Sequence, residues 1–156
     1  MEFTPRAEFD FITDNAVRQL IEDYHRQAIS AFDVGAYLGT LVACGGVLEG
    51  VLAWVLLSKG IARIGKTGKE KAVEECFLPE LIETAVQRSL LGETAETSTW
   101  AVKEFRNFLH PYKLIRQQTS ARPDQSLALN SLSAVDEVVR SIRSRLRLKE
   151  GSTENA

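Results

Sequence analysis

Apolar residues recur at steps of three and four along most of the chain, which is the spacing of one face of an α-helix. The first such run predicts a helix from about Asp14 to Ala31. We expect its buried face to carry Val17, Leu20, Ile21, Tyr24 and Ala28. His25 stands among charged neighbours, so its side chain is predicted to lie at the surface of this helix.

A long apolar segment follows and predicts a second helix over roughly residues 34–59, buried on most of its sides. Only one charged residue, Glu49, occurs in the window 41–57. A membrane span has a similar pattern. The central Glu49, the Gly45-Gly46 pair and the lack of a second span instead favour the core helix of a soluble protein.

Further helices are predicted over residues 69–76, about 79–91 and about 93–110. Pro111 disfavours helical geometry at His110, so the last of these should end or bend there. No alternating strand pattern of useful length occurs. The final helix shows the clearest spacing, at Ala128, Leu132, Val135, Val139, Ile142 and Leu146.

The pattern as a whole predicts an all-α protein, an up-and-down helical bundle of four to five main helices. The length of 156 residues suits one domain. We assign that domain to residues 1–150 and expect the polar stretch 151–156 to be a disordered tail.

Charge is distributed unevenly between the two parts of the chain. Residues 1–100 hold 9 Lys and Arg against 15 Asp and Glu, whereas residues 101–156 hold 10 against 6. Several of these cations follow one face of the last helix, namely Arg140, Arg143, Arg145, Arg147 and Lys149. This basic face is either solvated or turned toward a phosphate backbone.

The composition predicts no metal site and no cofactor. The two cysteines, Cys44 and Cys76, form neither a disulfide framework nor a metal-ligand spacing. This usage suits a reducing compartment, and the first residues show no signal-peptide pattern, so we expect a cytoplasmic protein.

One short stretch carries candidate chemistry. Arg106 and His110 are one helical turn apart, and Asn107 lies beside Arg106. A histidine moves protons near neutral pH, and an arginine binds a phosphate through two parallel hydrogen bonds. Such a pair suits RNA cleavage, in which the 2′-hydroxyl attacks the adjacent phosphate. Lys103 precedes Arg106 by one turn and extends the same face.

A purely structural role for these residues stays open. A carboxylate in so apolar a helix needs a partner or a proton, and Arg106 is a candidate partner for Glu49. In that alternative Arg106, Asn107 and Glu49 form a buried polar network in a non-catalytic interaction module. His110 and Pro111 then only end the helix.

The stretch Arg106-Asn107-Phe108-Leu109-His110-Pro111 resembles the signature of the HEPN superfamily of small helical bundles. The apolar segment 41–49 with its acid, and the segments 78–82 and 89–91, resemble helices of HEPN-like proteins. The resemblance extends over about residues 15–148. It implies a HEPN-like bundle that forms a homodimer, in which two such motifs meet in one cleft.

The resemblance also implies an activity and site residues. Arg106 would contact the scissile phosphate, His110 would assist proton transfer and Asn107 would orient them, without a metal. We expect RNA contacts from Lys103, Tyr112, Lys113 and Arg116. Many members are endoribonucleases of toxin–antitoxin or defence systems. In one toxin branch a tyrosine at the place of Tyr112 is modified by a partner nucleotidyltransferase, which makes such an antitoxin a candidate partner here.

The spacing departs from the family pattern. Three residues separate Arg106 from His110, where the family has four to six. One further residue would rotate the histidine by about 100° around a helix. The sequence therefore leaves two alternatives, a protein that cleaves RNA and one that binds it without cleaving.

Overall fold

The computed structural model describes residues 3–105, 108, 110–116 and 122–153. In that part of the chain the elements are α1 (Asn15–Asp33), α2 (Tyr37–Ser58), α3 (Leu78–Gln87), α4 (Glu93–Phe105), α5 (Pro111–Arg116) and α6 (Gln125–Thr153). A two-stranded antiparallel hairpin, β1 (Arg63–Ile64) and β2 (Lys71–Ala72), and a 3-10 turn (Val73–Glu75) connect α2 to α3. The predicted all-α class is confirmed.

Helix α2 is the central element of the core. It packs against α1, α3, α4 and α6. Its apolar residues are buried on several sides, as the sequence predicts, including Leu41, Val47, Leu48, Val51, Leu52, Val55 and Leu56. Helix α1 approaches it closely at two glycines, because a Cβ on Gly46 would lie 3.1 Å from the Tyr24 ring and one on Gly50 would lie 3.0 Å from Ile21.

Helix α2 is also the one described helix whose length and composition would allow it to cross a membrane. Of its most apolar 18-residue window, 56% is buried inside the protein. The core helix of a soluble protein has the same properties, because a helix covered by its neighbours is apolar nearly all round. The environment of α2 is therefore consistent with a soluble protein.

The buried face of α1 differs from the predicted one. The residues that this helix buries are Ile21, His25, Ala28 and Phe32. Leu20 and Tyr24, both expected in the core, are 56% and 42% exposed. The prediction of a surface position for His25 was wrong, because α1 turns this side toward the chain's first residues, where the imidazole meets the Phe9 ring edge-on at 5.3 Å.

The predicted short helix over residues 69–76 was wrong as well. The hairpin pairs Arg63 with Ala72 and Ile64 with Lys71. Its turn contains Gly65 and Gly68 at φ +126° and +80°, values that favour glycine. A Cβ on Gly65 would lie 3.1 Å from the carbonyl oxygen of Lys69. This tight turn brings the chain back toward α2 before α3 begins.

The predicted apolar face of α6 is confirmed: Ala128, Leu132, Val135 and Val139 are fully buried. The helix continues to Thr153, so residues 151–153, predicted to be part of a disordered tail, are helical. Residues 154–156 lie outside the described residues. Residues 3–13, called the N-terminal segment below, contact α1 and α6 and bury Phe9 and Ile12 in the core.

Candidate nucleic-acid interface

Three of the predicted RNA contacts and the predicted catalytic histidine form what we call the α5 surface: Tyr112, Lys113, Arg116 and His110. All four are exposed, and Tyr112 is 81% exposed. Pro111 occupies the first position of α5, where its missing N–H is no loss. The carbonyl of His110 accepts a hydrogen bond from the Lys113 amide at 2.9 Å. The start of α5 at Pro111 therefore brings a histidine, two cations and an aromatic ring onto one short exposed element.

His110 is not helical, which agrees with the predicted end or bend of the helix before Pro111. Helix α4 is described as far as Phe105, and Phe108 lies in a 3-10 turn. The argument that Lys103 and His110 share one α-helical face was therefore wrong. Arg106 and Asn107 lie outside the described residues, so their placement relative to His110 stays a prediction.

Lys103 is half-buried on α4 and has two neighbours. Its Nζ lies 2.8 Å from Oε1 of Glu104 and 5.8 Å from the centre of the Trp100 ring. Trp100 packs against the core, as expected for a tryptophan on the inner side of a helix. A cation so engaged contributes less to an RNA surface than the exposed cations of α5.

Glu49, the predicted structural partner of Arg106, lies between α2 and α3. Its side chain is half-buried, and Oε1 accepts a hydrogen bond from the backbone amide of Leu78 at 3.2 Å. Leu78 is the first residue of α3, where backbone amides have no partner within the helix. One role of Glu49 is thus to accept a hydrogen bond from a backbone amide at the start of α3.

A buried histidine–aspartate pair connects the N-terminal segment to the bundle. Asp136 on α6 is 7% exposed, and its carboxylate accepts hydrogen bonds from the amides of Arg6 at 2.8 Å and Ala7 at 3.0 Å. Nε2 of His25 lies 3.9 Å from Oδ1 of Asp136. Among the described atoms this Nε2 has no hydrogen-bond partner.

Burial sets the protonation of this pair. It lowers the pKa of His25, an effect that the nearby Asp136 opposes. It also raises the pKa of Asp136, against the Arg6 amide and His25, which lower that pKa. Because the Nε2 atom of His25 is buried beside Asp136, we assign the pair a structural role.

The pattern contained a weak signal for this pair that we missed. His25 stands four residues after Ile21 and three before Ala28, which is the spacing of a buried face. Asp136 and Glu137 interrupt an otherwise apolar stretch of the last helix. Neither feature reveals that the two side chains meet.

Cys44 is the remaining nucleophile close to the pair. It is fully buried, as expected for a packing position, and burial raises the pKa of its thiol to about 12. The thiol therefore stays protonated and unreactive at neutral pH. In the described part of the chain no three His, Cys, Asp or Glu side chains are grouped as metal ligands would be.

The outer face of α6 is basic but partly neutralised. Arg143 forms two parallel hydrogen bonds to Asp10, both 2.6 Å long, and lies 2.8 Å from Oε2 of Glu8. Arg147 reaches the same Asp10 at 3.3 Å. Arg145 points elsewhere and donates to the carbonyl of Ser89 at 3.0 Å. The N-terminal segment thus covers part of the basic surface that the sequence predicts.

Comparisons with protein-family models, with curated proteins and with solved structures gave no match.

Proposed function

We propose that the protein acts on RNA through the α5 surface, as a HEPN-like protein of the cytoplasm. The observation that carries the proposal is the joint exposure of His110, Tyr112, Lys113 and Arg116 on one short element. Lysine and arginine attract phosphates, and an exposed tyrosine ring offers a stacking surface for a base. These are the side chains that binding to single-stranded RNA requires.

The finer form of the proposal is metal-independent cleavage, with His110 and Arg106 as the reacting pair. The 2′-hydroxyl loses its proton to a base and its oxygen attacks phosphorus. The bond from phosphorus to the 5′-oxygen breaks, and that oxygen takes up a proton. His110 serves in proton transfer and Arg106 stabilises the charge on the phosphate oxygens. The exposure of His110 supports this role, because the imidazole must reach a phosphate in solvent.

The test combines binding and cleavage on the intact protein. Fluorescence anisotropy would measure affinity for a labelled single-stranded RNA of about 12 nucleotides over a range of salt concentrations. Lys113→Gln/Arg116→Gln should weaken binding and reduce the salt slope by about 0.7 for each lost phosphate contact. The control is Lys66→Gln/Lys69→Gln, which removes the same charge from the exposed hairpin turn.

Cleavage would be followed on gels in the presence of a chelator. His110→Ala should abolish cleavage while affinity and thermal melting stay near those of the wild type. If the wild type binds RNA without cleaving it, the protein is an RNA-binding protein and the proposal that it is an enzyme is wrong. Absence of RNA binding at low salt would overturn the proposal as a whole.

A non-catalytic interaction module is the second candidate, and an exposed apolar groove favours it. The groove runs between α1 and α2, has a volume of about 730 Å³ and includes Tyr24, Leu38 and Val42. Their side chains are 42%, 43% and 46% exposed. Apolar surface of this kind is typical of protein contacts, and here we propose the homodimer. Light scattering of the Leu38→Glu variant and the wild type tests this homodimer, because the charge should separate the two chains. If the molecular mass of the variant equals that of the wild type, the groove is not the dimer interface.

A further inference from the structure

The outer face of α6 carries a groove that the α5 surface does not include. Arg140, Arg143 and Arg147 follow one another at steps of three and four, so their side chains lie on one face of the helix. Ser141 and Ser144 line the same groove, whose volume is about 650 Å³. We call these five residues the arginine groove.

Two carboxylates of the N-terminal segment bind arginines of this groove. Asp10 meets the Nε and Nη2 atoms of Arg143 at 2.6 Å each, in the two-pronged geometry that phosphates also adopt. Glu8 adds a contact to Arg143 at 2.8 Å, and Asp10 reaches Arg147 at 3.3 Å. The carboxylates thus hold positions that anionic oxygens of a ligand would take.

We propose that the arginine groove binds the phosphate backbone of RNA, and that Asp10 and Glu8 engage two of its arginines, Arg143 and Arg147, when RNA is not bound. The inference rests on the proposed function, to which it adds a second contact surface and an internal competitor. It extends the RNA-binding surface from α5 to the longest helix of the bundle.

Replacing the carboxylates of Asp10 and Glu8 by phosphate on these arginines requires little free energy. The side chains of Asp10 and Glu8 are 52% and 64% exposed, and exposed ion pairs contribute little to stability. Their side chains can rotate away while Phe9 and Ile12, on the same segment, stay in the core. RNA binding therefore does not require the N-terminal segment to unfold.

The shape of the groove favours a linear polyanion. Arg147 follows Arg140 by seven helical positions, a length of about 10 Å. A chain of consecutive phosphates matches such a row of cations better than a single small anion does. Glu137 also lines the groove, but its carboxylate accepts a hydrogen bond from the Ser98 hydroxyl at 2.6 Å.

The first experiment removes the two more exposed cations of the groove. Arg140→Gln/Arg147→Gln should bind the same labelled RNA about ten-fold more weakly, with a salt slope smaller by about 1.4. The hairpin variant Lys66→Gln/Lys69→Gln again controls for net charge. Wild-type affinity and slope in the groove variant, with RNA binding intact, would overturn the groove inference and leave the proposed function standing.

The second experiment removes the internal competitor. Asp10→Asn should bind RNA up to about five-fold more tightly, the factor that corresponds to about 1 kcal/mol for an exposed ion pair. Glu74→Gln removes an exposed carboxylate outside the groove and should change affinity less. Equal affinities of Asp10→Asn and Glu74→Gln would contradict the competition. Failure of both the wild type and Asp10→Asn to bind RNA would overturn the proposed function together with the groove.

Discussion

The hydrogen bonds of Asp136 hold the N-terminal segment, and their removal should have a large, measurable effect. In Asp136→Ala the amides of Arg6 and Ala7 lose acceptors at 2.8 and 3.0 Å. A hydrogen bond to a charged group contributes about 1.5–3 kcal/mol. The cost of burying the carboxylate, visible in its raised pKa, offsets part of the sum. We therefore expect a loss of about 3 kcal/mol in the free energy of unfolding.

For a domain of this length, that loss lowers the melting temperature by about 6–12 °C. Circular dichroism melts would measure it. Asp136→Asn keeps one acceptor oxygen and should fall between wild type and Asp136→Ala. A second readout is tryptic cleavage after the exposed Arg6, which should become faster as the segment detaches.

The control for these measurements is Glu74→Gln, because Glu74 is an exposed carboxylate with no packed segment to hold. A melting temperature of Asp136→Ala close to that of Glu74→Gln would refute the reasoning. A lower melting temperature with unchanged cleavage after Arg6 would show that Asp136 stabilises α6 without holding the segment.

Three further predictions follow from single contacts. Gly50→Val should cost about 1–3 kcal/mol, because its Cβ would lie 3.0 Å from Ile21; an unchanged urea midpoint would contradict this. Glu49→Ala should cost about 1 kcal/mol as a lost helix cap. A loss of about 3–5 kcal/mol in the same urea titration would instead indicate a buried ion pair with Arg106. The pKa of His25 is lowered from 6.5, so the unfolded chain binds its proton first. The contribution of His25 to the free energy of unfolding should be fully present above about pH 6.5 and decline as the pH falls below that value. In a His25→Gln variant the free energy of unfolding should therefore fall less between about pH 7.5 and about pH 5.5. An equal fall in both proteins would refute the contribution of His25 to this pH dependence.

The sequence alone was sufficient for the helical class and for most helix positions. Apolar spacing is a local property, so α2 was found close to its predicted bounds and α6 buries its predicted apolar face. The breaks were also local, at Gly60 after α2 and at Pro111, the first residue of α5. The hairpin was missed because strands of two residues are too short to show an alternating pattern.

The candidate site was only partly accessible to the same reasoning. The exposure of His110, Lys113 and Arg116 agrees with the expected surface. The continuous helix that was to place Lys103 and His110 together is absent from the described residues, because the chain leaves α-helical geometry before Pro111. The relation of Arg106 to His110 stays a prediction.

The spacing of apolar residues was enough to predict that the protein is helical and that α2 is buried. The side of α1 that faces inward became clear only from the folded chain. The spacing of apolar residues shows that a helix has a buried and an exposed face, whereas the elements packed against the helix decide which face is covered. Here the neighbours are the glycines of α2 and the N-terminal segment, and that segment is held by Asp136, which lies 130 residues away from Arg6. A contact between residues so far apart leaves no local spacing in the sequence, so His25 and Asp136 were recognised as partners only in the folded chain.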